Sequence, residues 1–140
     1  MRPIMAQEKI TIAIMGMDQH ENGAVAVTRT LREAQMQVSY IGRFQTPQSV
    51  AEAAARDGAM VVGVSCHSWE YLTLVPRLLD ELARRGLDIP VVIGGSVITA
   101  DDAAAMRKAG IAAVFPAGAR DADIIDGIRD ISHRAAHARD

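Results

Sequence analysis

Two residues after an acidic side chain, in a glycine-flanked stretch, stands a histidine: Gly16-Met17-Asp18-Gln19-His20-Glu21-Asn22-Gly23. A carboxylate that holds one imidazole nitrogen leaves the other oriented and more basic, which is the chemistry of a metal-ligating histidine. Three further segments are rich in small residues, and in one of them Gly94-Gly95 lets a ligand approach the backbone closely. They are Ser65-Cys66-His67-Ser68-Trp69-Glu70, Gly94-Gly95-Ser96 and Pro116-Ala117-Gly118-Ala119. Each has a plainer reading on its own. A single loop histidine is most often just solvated, a Gly-Gly pair a turn, and a serine at a strand end bonded to local backbone. Cys66 reads as a small buried hydrophobe and the seven methionines as core filler. His67 and Trp69 read as loop packing, with Trp69 equally able to face a partner. His133 and His137 suit the negative end of a closing helix.

The order of the surrounding elements is what brings the four segments together. Short β-branched runs alternate with amphipathic segments, the pattern of a parallel sheet covered by helices. Strands are predicted at Ile10–Met15, Gln37–Ile41, Met60–Ser65, Pro90–Ile93 and Ile111–Phe115. The first is almost continuously apolar, as a strand buried on both faces must be. A helix from about Gly23 to Gln35 carries Ala24, Val27, Leu31 and Ala34 on one face. Thr46 caps the next helix, with Pro47 at its first position and Asp57-Gly58 at its end. A third helix turns Leu72, Val75, Leu78, Leu79 and Leu82 inward and closes at Arg84-Arg85-Gly86. Thr99 caps a fourth, through Lys108. The last, about Asp121 to Ala138, has Ile124, Ile128, Ile131 and Ala135 on one face. Five strand–helix units predict an α/β chain: a single flavodoxin-like, doubly wound, five-stranded parallel sheet of order 2-1-3-4-5 flanked by helices. Residues 1–9 are then an N-terminal extension and 10–140 the domain. Ligands of such sheets bind outside the carboxyl ends of the strands, near the switch between the first and third. The four segments follow the first, third, fourth and fifth strands.

Composition removes several function classes. The 140 residues fit one domain, too small for a large barrel enzyme with its own enclosed active site. A formal charge of −2 gives no footprint for nucleic acid. No apolar run approaches the roughly 20 residues of a membrane span, and the first nine residues lack a signal-peptide core. One cysteine excludes an intramolecular disulfide and suits a reducing, cytoplasmic setting. No Gly-x-Gly-x-x-Gly follows the first strand, and no phosphate-binding loop ends in Gly-Lys-Ser/Thr. A response-regulator receiver wants an aspartate at the end of the third strand and a lysine at the end of the fifth. Val64-Ser65 and Phe115-Pro116 stand there instead.

Asp18-x-His20-x-x-Gly23 resembles the Asp-x-His-x-x-Gly signature of cobalamin-binding domains, and the likeness runs from about Ile10 to Ile131. It is nearest to the cobalamin domain or small subunit of the methylmalonyl-CoA mutase group of acyl-CoA mutases. Phe44-Gln45-Thr46-Pro47, Val62-Gly63-Val64-Ser65 with Thr73-Leu74-Val75-Pro76, Gly94-Gly95, and Val114-Phe115 through Gly118 resemble that group's segments in order. The resemblance implies that His20 replaces the dimethylbenzimidazole of adenosylcobalamin as lower cobalt ligand, with Asp18 on its other nitrogen. It implies that Gly23, Ser65, Gly94, Gly95 and Gly118 line the slot for the displaced nucleotide tail. It also implies that a separate large subunit supplies the substrate-binding (β/α)₈ barrel. Glutamate-mutase-type small subunits, corrinoid carriers and cobalamin-responsive proteins are the alternative kin. The chain departs from the pattern at Ile14, where the group has a lysine, at Gln19 and Glu21-Asn22, at Cys66-His67, at Trp69-Glu70, and at Pro116-Ala117.

Overall fold

The computed structural model describes residues 7–139. Five parallel strands, β1 (Lys9–Met15), β2 (Gln37–Gln45), β3 (Val61–Ser65), β4 (Val91–Gly95) and β5 (Ala113–Pro116), pair in the order β2-β1-β3-β4-β5. Between and after them run α1 (Asn22–Glu33), α2 (Pro47–Asp57), α3 (Tyr71–Arg84), α4 (Ala100–Ala109) and α5 (Asp121–Arg139). This is the expected doubly wound sheet.

The period-two alternation of β1 sorts its side chains into two cores. Ile10, Ile12 and Ile14 pack with Leu31 of α1 and Ile124, Ile128 and Ile131 of α5. Ala13 and Met15 point the other way, onto Val50 and Ala54 of α2, Val75 and Leu78 of α3, and Met106 of α4. The sheet is thus one layer of three, buried on both faces, with α1 and α5 sharing one side. At the amino edge of the sheet these two helices are pinned together: Arg129 on α5 donates to the carbonyl of Ala34 beyond α1, 2.7 Å, and its Nε reaches Glu8, 3.2 Å.

Local chemistry sets the helix starts. The Thr46 and Ser49 side chains each accept from the other's backbone N–H, at 3.0 and 2.8 Å, a reciprocal capping box in front of Pro47. The Thr99 hydroxyl accepts from Asp102 N–H at 3.1 Å.

Several boundaries differ from expectation. β2 continues past Ile41 to Gln45, because two register shifts against β1 (Ala13 opposite Gly42, Met15 opposite Gln45) keep the edge strand paired where its alternation breaks. β1 starts at Lys9, so the line drawn after residue 9 cuts into the strand. β4 runs through Gly94-Gly95, which are its paired last residues and not the turn beyond it. Leu72 is exposed and not inward, while Glu81 is buried on α3 and accepts from Arg84 and Arg85 at 2.6 and 2.8 Å. The methionines divide: Met15, Met36 and Met106 are core, but Met17 is exposed. The side chain of His137 lies outside the described residues. No helix among the described residues is long and apolar enough to cross a membrane.

Candidate functional site

The loop after β1 places Asp18 and His20 at the carboxyl edge, close to the switch between β1 and β3. The Asp18 carboxylate is buried and takes three donors. One oxygen accepts from His20 N–H and from His20 Nδ1–H, both 3.0 Å, and the other from His67 N–H at 2.7 Å. Burial alone would raise this carboxyl, but the hydrogen bonds from His20 and His67 outweigh it and hold Asp18 below the usual carboxylate range. The ion is therefore kept charged, and it fixes the imidazole by Nδ1. The His20 side chain is 73% exposed, and Nε2 has no partner among the described residues. One free, oriented imidazole nitrogen in a site with no cluster of three ligating side chains among the described residues can fill a single coordination position of a metal whose other positions are already occupied.

The loop is braced from both sides. Met17 N–H donates to Glu70 at 2.8 Å. Tyr40 on β2 donates to Glu21 at 2.7 Å, and Arg43 lies 3.8 Å from the same carboxylate. Burial and then the Glu21 bond push the Tyr40 hydroxyl up to about 12. Cys66 is fully buried, and burial with the nearby Asp18 charge pushes its thiol up to about 12, so it stays protonated and inert.

Beside His20 a slot of about 340 Å³ opens between α1 and α5 over the sheet. That is within the size of small-ligand cavities, roughly 300 Å³ and up. Its floor is made by the side of β3 and β4 where small residues stand: Gly63 and Ser65 two apart on one strand, Gly94 on the next. Ile12, Val92, Phe115 and Ile124 make its depth apolar, and Gly118 lies on its rim. Gly95 permits the closest approach: with φ at +150°, a Cβ there would stand 1.7 Å from the Cys66 carbonyl oxygen. A Cβ on Gly23 would meet His67 Nε2 at 3.2 Å.

All seven residues singled out from sequence converge on one edge: Gly23, Ser65, Gly94, Gly95 and Gly118 line the slot, His20 stands beside it, and Asp18 lies buried beneath His20. Sequence reasoning named Gly63, Ser96 and Phe115 only within their segments, with no site role of their own, and it took His67 as loop packing. Period-two counting back from Ser65 finds Gly63 on the slot face. No local signal marks His67, because its contacts to Asp18 and Ser96 span three separate loops.

The B12 binding domain family matches residues 8–125. The chain is 37% identical to the small subunit of 2-hydroxyisobutanoyl-CoA mutase of Aquincola tertiaricarbonis, over 88% of this chain and 90% of that one. It is 37% identical to ethylmalonyl-CoA mutase of Cereibacter sphaeroides over 76% of this chain, and spans only 16% of that longer protein. Among solved structures, a cobalamin-binding protein from Desulfitobacterium hafniense superposes with a TM-score of 0.78 at 19% identity, over 89% of this chain and 59% of that one.

Proposed function

This chain belongs to the B12 binding domain family, and from that premise we propose that it is the cobalamin-binding small subunit of an adenosylcobalamin-dependent acyl-CoA mutase. The observation that carries the reading is His20, held through Nδ1 by buried Asp18 beside the slot, with no partner on Nε2 among the described residues. His20 would ligate the cobalt through Nε2, in place of the cofactor's dimethylbenzimidazole. Asp18 holds its Nδ1–H, which fixes the ring with Nε2 turned outward. Gly23, Ser65, Gly94, Gly95 and Gly118 line the space for the displaced tail, whose flat apolar base suits the apolar depth of the slot. When bound, the cofactor supplies a weak cobalt–carbon bond as its source of a carbon radical.

The substrate-binding (β/α)₈ barrel belongs to a separate, larger subunit, as the likeness over nearly the whole of another mutase's small subunit supports. The surface supports it too. Met17, Val25, Phe44, Trp69 and Leu72, the large apolar side chains exposed among the described residues, all stand in the carboxyl-edge loops, at the end of β2, or in the first turn of α1 or α3. A face that is both apolar and ligand-bearing fits a covering partner.

The test is nitrogen labelling. Chain made with ¹⁵N-histidine is loaded with cobalamin, reduced to Co(II), and read by electron paramagnetic resonance. Ligation by His20 predicts that labelling converts the superhyperfine triplets of ¹⁴N into the doublets of ¹⁵N, and that His20→Ala abolishes the change. Triplets unaltered by labelling overturn the assignment of His20.

A further inference from the structure

His67 is the residue at this edge that nothing above explains. Its main-chain N–H donates to Asp18, so the carboxylate that registers His20 registers His67 as well. The two rings stand 6.0 Å apart, tilted by 49°. Across the mouth of the slot, His67 Nδ1 lies 3.0 Å from the Ser96 hydroxyl and 3.5 Å from the Ser96 backbone N–H. A backbone N–H only donates, so Nδ1 is the accepting nitrogen and the neutral ring carries its proton on Nε2. That Nε2–H lies over Gly23, on the slot lining, and has no protein acceptor among the described residues.

The slot therefore has two chemical zones. Its depth is apolar, and its mouth carries a fixed hydrogen-bond donor on His67 beside Ser65 and Ser96. A ligand with an apolar base at one end and an anionic, oxygen-rich linker behind it enters in one sense only, because the linker loses least by staying at the wet, donor-bearing mouth. We infer that His67 is a specificity-determining residue for the cofactor's nucleotide tail, donating from Nε2 to an oxygen of its phosphoribosyl linker. Ser96 acts on it as a positioning residue by fixing the tautomer. Asp18 then sets the spacing between the imidazole for cobalt and the imidazole for the tail. The inference rests on the cobalamin reading of the site.

The experiment compares equilibrium binding of cobalamin and of cobinamide, the corrinoid that lacks the nucleotide tail, to the full chain carrying His67→Leu or His67→Gln. Loss of a hydrogen bond to a charged group predicts that His67→Leu weakens cobalamin about tenfold. Cobinamide, still ligated by His20, binds the variant as it binds the unsubstituted chain. His67→Gln places an amide N–H near the position of Nε2 and restores most of the cobalamin affinity, which separates a donor's role from mere packing. Melting temperatures check that both variants fold. The inference is overturned if His67→Leu weakens both corrinoids alike, weakens neither, or is not rescued by glutamine. If the unsubstituted chain binds cobinamide and cobalamin equally, no tail contact exists and the inference falls while the cobalt site stands. If it binds neither, the cobalamin reading itself fails.

Discussion

The two edges of the sheet each hold a histidine against a carboxylate at 3.0 Å, and they do opposite things with it. At the carboxyl edge Asp18 takes His20 by Nδ1, the nitrogen near the main chain, and leaves the outer Nε2 free in solvent. At the amino edge Glu8 takes His133 by Nε2, and Arg129 reaches the same oxygen. Both carboxyls sit below their usual range despite burial. The difference is in the donors. Two of the three bonds to Asp18 come from backbone N–H groups, which are fixed by the loop before any ligand arrives. Beyond Glu8's own N–H, its partners are the side chains of Arg129 and His133, which close the chain's start onto α5. A histidine that is to offer a nitrogen must be held by the other one, on a rigid acceptor. One that is to tie a strand's start to a helix consumes the outer nitrogen in doing so.

The edges can be set apart most strongly by one substitution made at each. Gly95→Ala drives a Cβ to 1.7 Å from the Cys66 carbonyl, backbone against backbone, where no side chain can swing away. Gly86, at the amino edge after α3, has φ at +71° but nothing within 4 Å of a Cβ. Gly86→Ala should lose about 1 kcal/mol for its left-handed backbone alone. Gly95→Ala should lose about 4 kcal/mol or more, or fail to fold. Urea unfolding of the two proteins checks this. Equal midpoints would mean that the β4 end can shift, and that the slot is not built on a fixed backbone.

That contrast also marks what was legible beforehand. The strand runs, the Thr46 and Thr99 caps and the sheet order follow from short-range rules: β-branched runs, capping residues, and the handedness of parallel crossovers. Asp18, His20 and the Gly94-Gly95 pair stood out because their types and spacing are unusual within a few residues of sequence. The extension of β2 to Gln45 was hidden because pairing to β1 survives two register shifts that no alternation announces. Glu81 was unreadable as a buried residue because its burial depends on two arginines closing over it. His67 was hidden for the most general reason. Its partners, Asp18 and Ser96, are 49 and 29 residues away, so only the fold makes them a group.

The next largest difference lies in the two carboxylates. Asp18→Ala leaves the N–H groups of His20 and His67 without their acceptor at a buried position, and should lose about 2–3 kcal/mol of stability. It also frees the His20 ring, so corrinoid binding should fall with it. Glu8→Ala breaks bonds to Arg129 and His133, whose partly exposed side chains turn to water, and should lose about 1 kcal/mol or less. Corrinoid binding should not change. Denaturant midpoints and a visible-absorption titration on the same samples separate the two outcomes. An Asp18→Ala protein as stable as Glu8→Ala would show that the carboxyl edge is no more preorganised than the amino edge.

The smallest effect is in pH. The Glu8 carboxyl is pushed up by burial, but its own backbone N–H, His133 and Arg129 together bring it below 4.5, its value in the unfolded chain. The unfolded state therefore binds more protons in the interval between the two values, and stability rises with pH through it. The contribution of Glu8 is complete above the unfolded value and disappears as pH falls through the folded one. Glu8→Gln has no such carboxyl. The stability difference between the unsubstituted chain and Glu8→Gln should shrink on acidification below about pH 5, as pH falls through the folded value. The acid sensitivity that remains in Glu8→Gln includes that of Asp18, whose carboxyl is lowered as well. Unfolding by urea across that range measures the difference directly. A difference that stays flat to about pH 3 would mean that Glu8 is not held in its charged form by His133 and Arg129, and the two pairs would then differ in strength as well as in which nitrogen they engage.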